Sequence, residues 1–319
     1  MAKSTKRSDV KKPKPRDPER VARTRLVVAH TLVALAFIGL ISAGFVVVKR
    51  YVERSVVFPT APPDVKLVNR PAWMSDFLAA QIERTARPVG THSSFDHRML
   101  VDVADALARN PWVKRVHQVR RAYGKSAGDT LEVDCDWRAP VALVKWGDFF
   151  WLVDGEGVKL PEQFTAQQVP RIVLGRDNRT NIRIIEGVGG PPVESGRHWP
   201  GEDLAAGLDL VKLLYGKPFA EEIGKVDVSN FGGRKQSREA QLVLVTKYGT
   251  QVKWGRPVSA KDFFVEVPPA RKLDYIESVF KQFGRCDGNR PWIDIRFDKI
   301  TYPSPESQAT ANTSSASRE

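Results

Sequence analysis

A run of twenty-three residues without a formal charge, 26–48, constrains this chain more than any other feature of its sequence. It reads LVVAHTLVALAFIGLISAGFVVV and is bounded by Arg25 on one side and by Lys49 and Arg50 on the other. As a helix rising about 1.5 Å per residue it would cover roughly 34 Å, enough to cross a hydrocarbon core of about 30 Å. A signal peptide normally has an apolar region of only about 7–15 residues, and no clean cleavage site follows. We therefore predict a transmembrane helix that stays in the protein.

The charged residues around this run predict its orientation. Residues 1–25 hold ten basic and three acidic side chains, so they carry +7 of the chain's net charge of +13. A segment this polar, with three prolines, cannot bury enough apolar surface to fold, and we expect 1–25 to be a disordered tail. The positive-inside rule places that tail in the cytoplasm and residues 49–319 outside. Nucleic acid is therefore the weakest partner class, because the folded part of the chain lies beyond the membrane.

After a proline-containing linker at 49–63, the region 64–138 alternates between strand and helix patterns. An apolar strand is predicted at 65–68, and a first helix follows it. The apolar residues of that helix recur at helical spacing: Trp73, Phe77, Leu78, Ala80 and Ile82.

A second helix and two strands complete this region. Asp96 is a plausible N-cap of the helix, and Pro111 ends it, because the residue before a proline disfavours helical geometry. Strands are predicted at 112–121 and 129–138. Alternate residues of the second strand share one apolar face: Leu131, Val133, Cys135 and Trp137. This order of elements predicts two helices packed on a three-stranded sheet.

Residues 139–302 have mainly strand patterns with turn signals between them. Two amphipathic helices interrupt the strands near 204–214 and 273–283, and the last strand is predicted at 292–302. The tail 303–319 is low in complexity and is expected to be mobile. The predicted fold class is α+β: a single transmembrane helix, a β-α-α-β-β domain, and a mixed, mainly antiparallel β domain with two helices.

Six segments, in this order and spacing, resemble one family of bacterial envelope proteins. Three resemble a POTRA domain running into a β domain: NPWV at 110–113, TLEV at 130–133 and RAPVA at 138–142. Three are similar to segments of bacterial division proteins of the FtsQ/DivIB type: LVDGEGV at 152–158, YGTQVKWG at 248–255 and WIDIRF at 292–297. The resemblance covers roughly residues 20–302. It implies a POTRA domain at 64–138 and an FtsQ-type β domain at 139–302.

The resemblance also implies a function without catalysis. Members of this family are inner-membrane scaffolds of the divisome at the division septum. They bind other division proteins, among them small bitopic coiled-coil proteins, and help to regulate septal peptidoglycan synthesis. Two alternatives stay open: a POTRA-bearing subunit of an envelope secretion or assembly system, and a membrane-anchored extracytoplasmic enzyme.

In this family the final strand and the helix before it receive the partners. The matching positions here are Ile295, Arg296, Phe297, Lys299 and Thr301. An unpaired edge strand can accept a strand of another protein through main-chain hydrogen bonds. The competing interpretation is that Ile293, Ile295 and Phe297 belong to the core and that Arg296 is solvated.

A second candidate surface is the basic strand at 112–121. It carries three arginines: Arg115, Arg120 and Arg121. A solvated basic strand is the competing interpretation.

Catalytic, cofactor-binding and metal-binding residues are not predicted. The segment GKS at 124–126 lacks the glycine that a phosphate loop needs five positions earlier, where Val119 stands. The carboxylates of Glu132, Asp134 and Asp136 follow one face of a strand, which is typical of a solvated surface.

We also considered a metal site at His92 and His97 and a disulfide between the two cysteines. The histidines lie five residues apart in a loop and the start of a helix, a poor arrangement for a metal site. Cys135 and Cys286 could form a disulfide outside the membrane. However, Cys135 lies on the apolar face of its strand, which favours a buried thiol.

Overall fold

The computed structural model of this chain describes residues 18–55, 62–90, 96–123, 127–173, 182–261 and 266–303. They belong to two compact units, one with the N-terminal helix and one with residues 63–89 and 97–319. Five sequence predictions lie wholly or partly outside the described residues: the ends 1–17 and 304–319, residues 56–61 of the linker, His92, and the segment 124–126.

The N-terminal unit is built on one helix, α1 (Pro18–Ser55). Its stretch Arg25–Tyr51 has 27 residues and is long and apolar enough to cross a membrane. The helix begins before the predicted span, so residues 18–25 are helical rather than disordered. Proline suits a first helical position, because its missing N–H would have no partner there. The Thr31 hydroxyl donates to the Val27 carbonyl over 2.8 Å, so the helix itself satisfies this polar group.

The second unit begins with two helices and a three-stranded sheet. Its elements are β1 (Asp64–Leu67), α2 (Asp76–Ala86), α3 (His97–Ala108), β2 (Val113–Tyr123) and β3 (Ala127–Trp137). The strand order is β1-β3-β2, with β1 parallel and β2 antiparallel to β3. The predicted order of strands and helices is therefore correct.

The predicted apolar face of α2 is partly wrong. Trp73 lies before the helix, since Ser75 is its N-cap and accepts the Leu78 N–H. Phe77 is 73% exposed. The buried stripe instead consists of Leu78, Ala79, Ile82 and Ala86. By contrast, β3 alternates as predicted, with Leu131, Val133 and Cys135 fully buried.

The rest of this unit is an eight-stranded mixed sheet. Its strands are β4 (Pro140–Trp146), β5 (Phe149–Asp154), β6 (Lys159–Thr165), β7 (Arg183–Glu186), β8 (Ile223–Asp227), β9 (Leu242–Thr246), β10 (Gln251–Gly255) and β11 (Trp292–Asp294). They lie in the order β11-β10-β9-β8-β7-β4-β5-β6. The helices are α4 (Val169–Val173), α5 (Glu202–Leu213) and α6 (Pro269–Phe283). Four of the seven strand pairs are antiparallel, which confirms the predicted α+β class with a mixed sheet.

Two hydrophobic cores lie on opposite faces of this sheet. Strand β4 contributes to both, since Ala142 and Val144 join the core that contains α5 and α6 residues. Leu143 joins the core that contains α2, α3 and the first sheet. A strand buried on both faces needs an unbroken apolar run, and β4 has one. The two predicted domains therefore share a core across the boundary at 138/139.

Charged groups also join the two sheets. Arg138, directly after β3, contacts the buried Asp154 of β5 at 2.6 Å. The other carboxylate oxygen of Asp154 accepts the N–H groups of Glu156 and Val158, which closes the reversal after β5. Lys114 of β2 contacts Glu156 at 2.6 Å. This arrangement gives the LVDGEGV segment a physical role in connecting the two sheets.

Candidate partner-binding surfaces

The last strand is shorter than predicted. Strand β11 ends at Asp294 rather than continuing to residue 302, because the Asp294 carboxylate accepts the Arg296 N–H at 3.1 Å and the chain turns there. The chain then returns, and Thr301 pairs with Asp294 through two backbone hydrogen bonds of 2.9 Å. The outer edge of β11 is thus covered at Asp294 by the chain's own terminal segment.

Two of the predicted partner residues near the C-terminus, Ile295 and Arg296, do not fit a free edge strand. Ile295 is completely buried in the core with Ile293, as the competing interpretation held. Arg296 is only 11% exposed at its side chain and forms a fork on Asp294, with its Nη2 at 2.7 Å from Oδ2. Its Nη1 donates to the Arg238 carbonyl at 3.0 Å. Arg296 is therefore neither solvated nor available to a partner without breaking contacts within the chain.

The ion pair also changes the titration of Arg296. The hydrogen bond to Asp294 raises the pKa of the guanidinium, and burial opposes this shift only in part. The residue keeps its charge, and that charge stays next to Asp294.

The remaining predicted residues do reach the surface. Phe297 is 42% exposed, and Lys299 and Thr301 are exposed as well. Helix α6 lies beside them, since the Tyr275 hydroxyl donates to the Asp298 carbonyl at 2.6 Å. Arg271, one helical turn earlier, donates to that hydroxyl at 2.9 Å. We call the exposed side chains Arg271, Phe297, Lys299 and Thr301 the terminal surface.

Sequence analysis missed Arg271 and Tyr275. The available signal was their spacing of four residues on a helix, which places them on one face. That spacing alone could not show that the face meets the turn after β11.

The second candidate surface lies on β2, at the edge of the first sheet. Among the described residues no strand pairs with its outer side, and β2 has 11 residues. Arg120 contacts Glu132 of β3 at 2.7 Å, and His117 contacts Asp136 at 2.9 Å. Arg115 is exposed, whereas Arg121 is half-buried. The arginines thus lie along a long open edge, and part of their charge is neutralised by β3.

Two of the three carboxylates in the row on β3, those of Glu132 and Asp136, are engaged in these contacts. A hydrogen bond from His117 lowers the pKa of Asp136, which is exposed. Arg120 donates from its Nε to Glu132 Oε2 at 2.9 Å. Within the described residues there is no group of three or more His, Cys, Asp or Glu side chains that could hold a metal ion.

Both cysteines are free buried thiols. Cys135 lies in the core of the first sheet and Cys286 in the core of α5 and α6. Burial raises the pKa of the Cys135 thiol to about 12 and also raises the pKa of Cys286. Neither thiol is activated as a nucleophile, since reactive cysteines have lowered pKa values.

The fold and these surfaces define a helix of membrane-spanning length together with a two-sheet α+β unit. No family model matches the sequence, and no curated protein matches it either.

Proposed function

We propose that this protein is a single-pass scaffold of the bacterial division machinery, with its N-terminus in the cytoplasm and its two-sheet unit outside. The first sheet with α2 and α3 would be a POTRA domain, and the eight-stranded sheet an FtsQ-type β domain. The scaffold would bind bitopic membrane partners and help to regulate septal wall synthesis, without catalysis of its own. The observation that carries the proposal is the terminal surface, where exposed side chains surround the last turn of a large sheet, as the resemblance implies.

The backbone around Thr301 gives this surface a means of binding an extended segment. Thr301 uses both its N–H and its carbonyl to pair with Asp294. In an extended segment alternate residues direct their backbone groups to opposite sides, so we expect the backbone groups of Ile300 and Tyr302 to face away from β11. An incoming strand could extend the sheet there through main-chain hydrogen bonds, while Phe297 and Lys299 contact its side chains.

The basic tail supports the proposed orientation. Ten basic side chains precede the apolar stretch, whereas only Lys49, Arg50 and Arg54 follow it closely. An excess of lysine and arginine on one side is typical of the cytoplasmic side.

Microscopy of the living cell tests the proposal directly. A fluorescent fusion of the full chain should concentrate at the division site, and depletion of the protein should give filaments. Normal division after depletion, together with an evenly distributed fusion, would refute the division function. Secretion defects without filaments would instead favour the assembly-system alternative.

A further inference from the structure

A buried lysine lies beneath the terminal surface. Lys272 of α6 is 2% exposed, although lysine is among the residues that are almost never fully buried without a partner. Its Nζ donates to the Trp254 carbonyl and to Glu266 Oε2, both at 2.7 Å. The ammonium also lies 5.2 Å from the centre of the Trp254 ring. Burying an ammonium is costly unless such contacts compensate it, so this site is built to hold a charge.

The carboxylate of Glu266 is held as firmly as the ammonium. Its side chain is 11% exposed, and Oε2 accepts the Arg256 N–H at 2.9 Å in addition to Lys272. Gly255 has φ +96°, and a Cβ there would come within 2.2 Å of this carboxylate. Only glycine therefore lets the carboxylate approach the backbone after β10.

The pair continues directly into the turn that carries the terminal surface. Val267, the residue after Glu266, donates its N–H to the Arg296 carbonyl at 2.8 Å. Arg296 in turn forms the fork on Asp294, and Asp294 pairs with Thr301. A continuous set of polar contacts thus runs from the buried lysine to the exposed end of the sheet.

We propose that Lys272 and Glu266 are positioning residues for the terminal surface: their buried ion pair fixes Val267 and, through it, the turn that presents Phe297 and Lys299. That this surface receives a partner rests on the proposed function. The coupling of the pair to the turn does not, because it concerns contacts within the chain.

Hydrogen exchange on the purified full-length chain in detergent tests the coupling. In Lys272→Met, the peptide 292–303 should exchange roughly tenfold faster, because exchange follows the free energy of local opening. The peptide 113–123 of the first sheet should keep the wild-type rate. Unchanged exchange at 292–303, or an equal increase in both peptides, would overturn the proposal.

A variant on the same helix supplies the matched control. Lys281 pairs with Glu277 at 2.7 Å, but its side chain is 71% exposed. Lys281→Met makes the same change of charge and should leave exchange at 292–303 as in the wild type. A response as large as that of Lys272→Met would mean that any charge loss on α6 loosens the turn, which would also overturn the proposal.

A double variant covers the case in which Lys272→Met does not fold. Lys272→Met with Glu266→Gln removes both charges, which is better tolerated than leaving one of them buried and unpaired. We expect it to fold and still to exchange faster at 292–303. Wild-type protection there, or failure of the double variant to fold, would assign the pair to general stability and refute a positioning role.

A binding measurement separates this inference from the proposed function. If a bitopic partner is found, Lys272→Met should weaken its binding although Phe297 and Lys299 are intact. Faster exchange at 292–303 in a chain that has no role in division would leave the coupling standing and refute only the proposed function.

Discussion

Two edge strands, β2 of the first sheet and β11 of the second, are protected from further strand pairing in different ways. Strand β2 is long, and no described strand covers its outer side, but it is rich in basic side chains. Strand β11 has three residues, and the returning chain covers it at Asp294. Charge on an edge and coverage of an edge are two common means of preventing unwanted strand pairing.

The other end of the large sheet, β6, shows coverage again. Lys159 exchanges backbone hydrogen bonds with Gly196 and Arg197, and Pro161 has no N–H to offer. The second sheet therefore closes its own edges, at Lys159 of β6 and at Asp294 of β11. Binding at its C-terminal end must therefore use the covering segment and the exposed side chains around it, rather than a bare strand.

The largest expected effect is the loss of the ion pair that closes β11. In Asp294→Ala the Arg296 guanidinium stays nearly buried without its carboxylate, and breaking such a pair costs about 3–5 kcal/mol. Denaturant titration of the full chain, followed by tryptophan fluorescence, measures the free energy of unfolding. A loss below about 1 kcal/mol would show that the closure of β11 does not depend on this pair, since that is the range of surface pairs.

A smaller but still substantial effect is expected on partner binding. In Phe297→Ala combined with Lys299→Glu, an exposed aromatic anchor is lost and a charge is reversed, and a central aromatic residue often contributes about 2 kcal/mol or more to binding. We expect the full chain to fold normally and its partner to bind at least about tenfold more weakly. Lys145→Glu, an exposed charge reversal on β4, is the control and should bind as the wild type. Equal binding by all three proteins would exclude the terminal surface.

As the pH falls, the region around Asp287 should be destabilised at a higher pH than the first sheet. Burial alone would raise the pKa of the Asp287 carboxyl, but hydrogen bonds from Arg285, the Asn289 N–H and Thr250 outweigh it and hold the pKa below its usual value. The folded pKa is thus below the unfolded value of about 3.9, so this stabilisation is present above that pH and disappears as pH falls through the folded pKa.

The pKa of Asp136 in the first sheet is lowered too, but that group is exposed and solvent screens its interactions. When hydrogen exchange is measured at decreasing pH, peptides around 285–290 should therefore lose their protection at a higher pH than peptides of β3. Asp287→Asn should remove that pH dependence, and the reverse order of opening would contradict this prediction.

The smallest effect is expected on the charged edge of β2. Arg120 and Glu132 form a partly exposed pair, and such pairs usually contribute less than about 1 kcal/mol. Arg120→Ala should therefore change the free energy of unfolding by no more than about 0.5 kcal/mol, and the change should shrink further at high salt. A larger loss of free energy of unfolding would mean that Arg120 stabilises the first sheet, in addition to placing a positive charge on its edge.

Patterns within one element could be predicted from the sequence. The alternation of β3 correctly identified Leu131, Val133 and Cys135 as buried. Gly284 is the left-handed C-cap of α6, as its position after the apolar stripe indicates. These predictions succeed because each depends on neighbours only a few residues away.

The candidate site was predicted less well. The run from Trp292 to Tyr302 predicts one strand because its apolar residues alternate, yet the chain turns after Asp294. The burial of Arg296 could not be predicted in full, because one of its contacts, the Arg238 carbonyl, is far away in the sequence, although Asp294 is a near neighbour. The burial of Lys272 could not be predicted either, since the carbonyl that it binds belongs to Trp254 of β10.

Local sequence patterns are enough to predict an apolar helix of membrane-spanning length, a basic tail before it, and an α+β unit after it. Those properties follow from composition and local periodicity, because each element shows in its own residues which side is apolar. Tertiary packing is needed to tell which edges are open, which charges are buried, and which of the nominated residues reach the surface. Such properties depend on which distant segments meet, and a pattern within one segment carries no information about its partner.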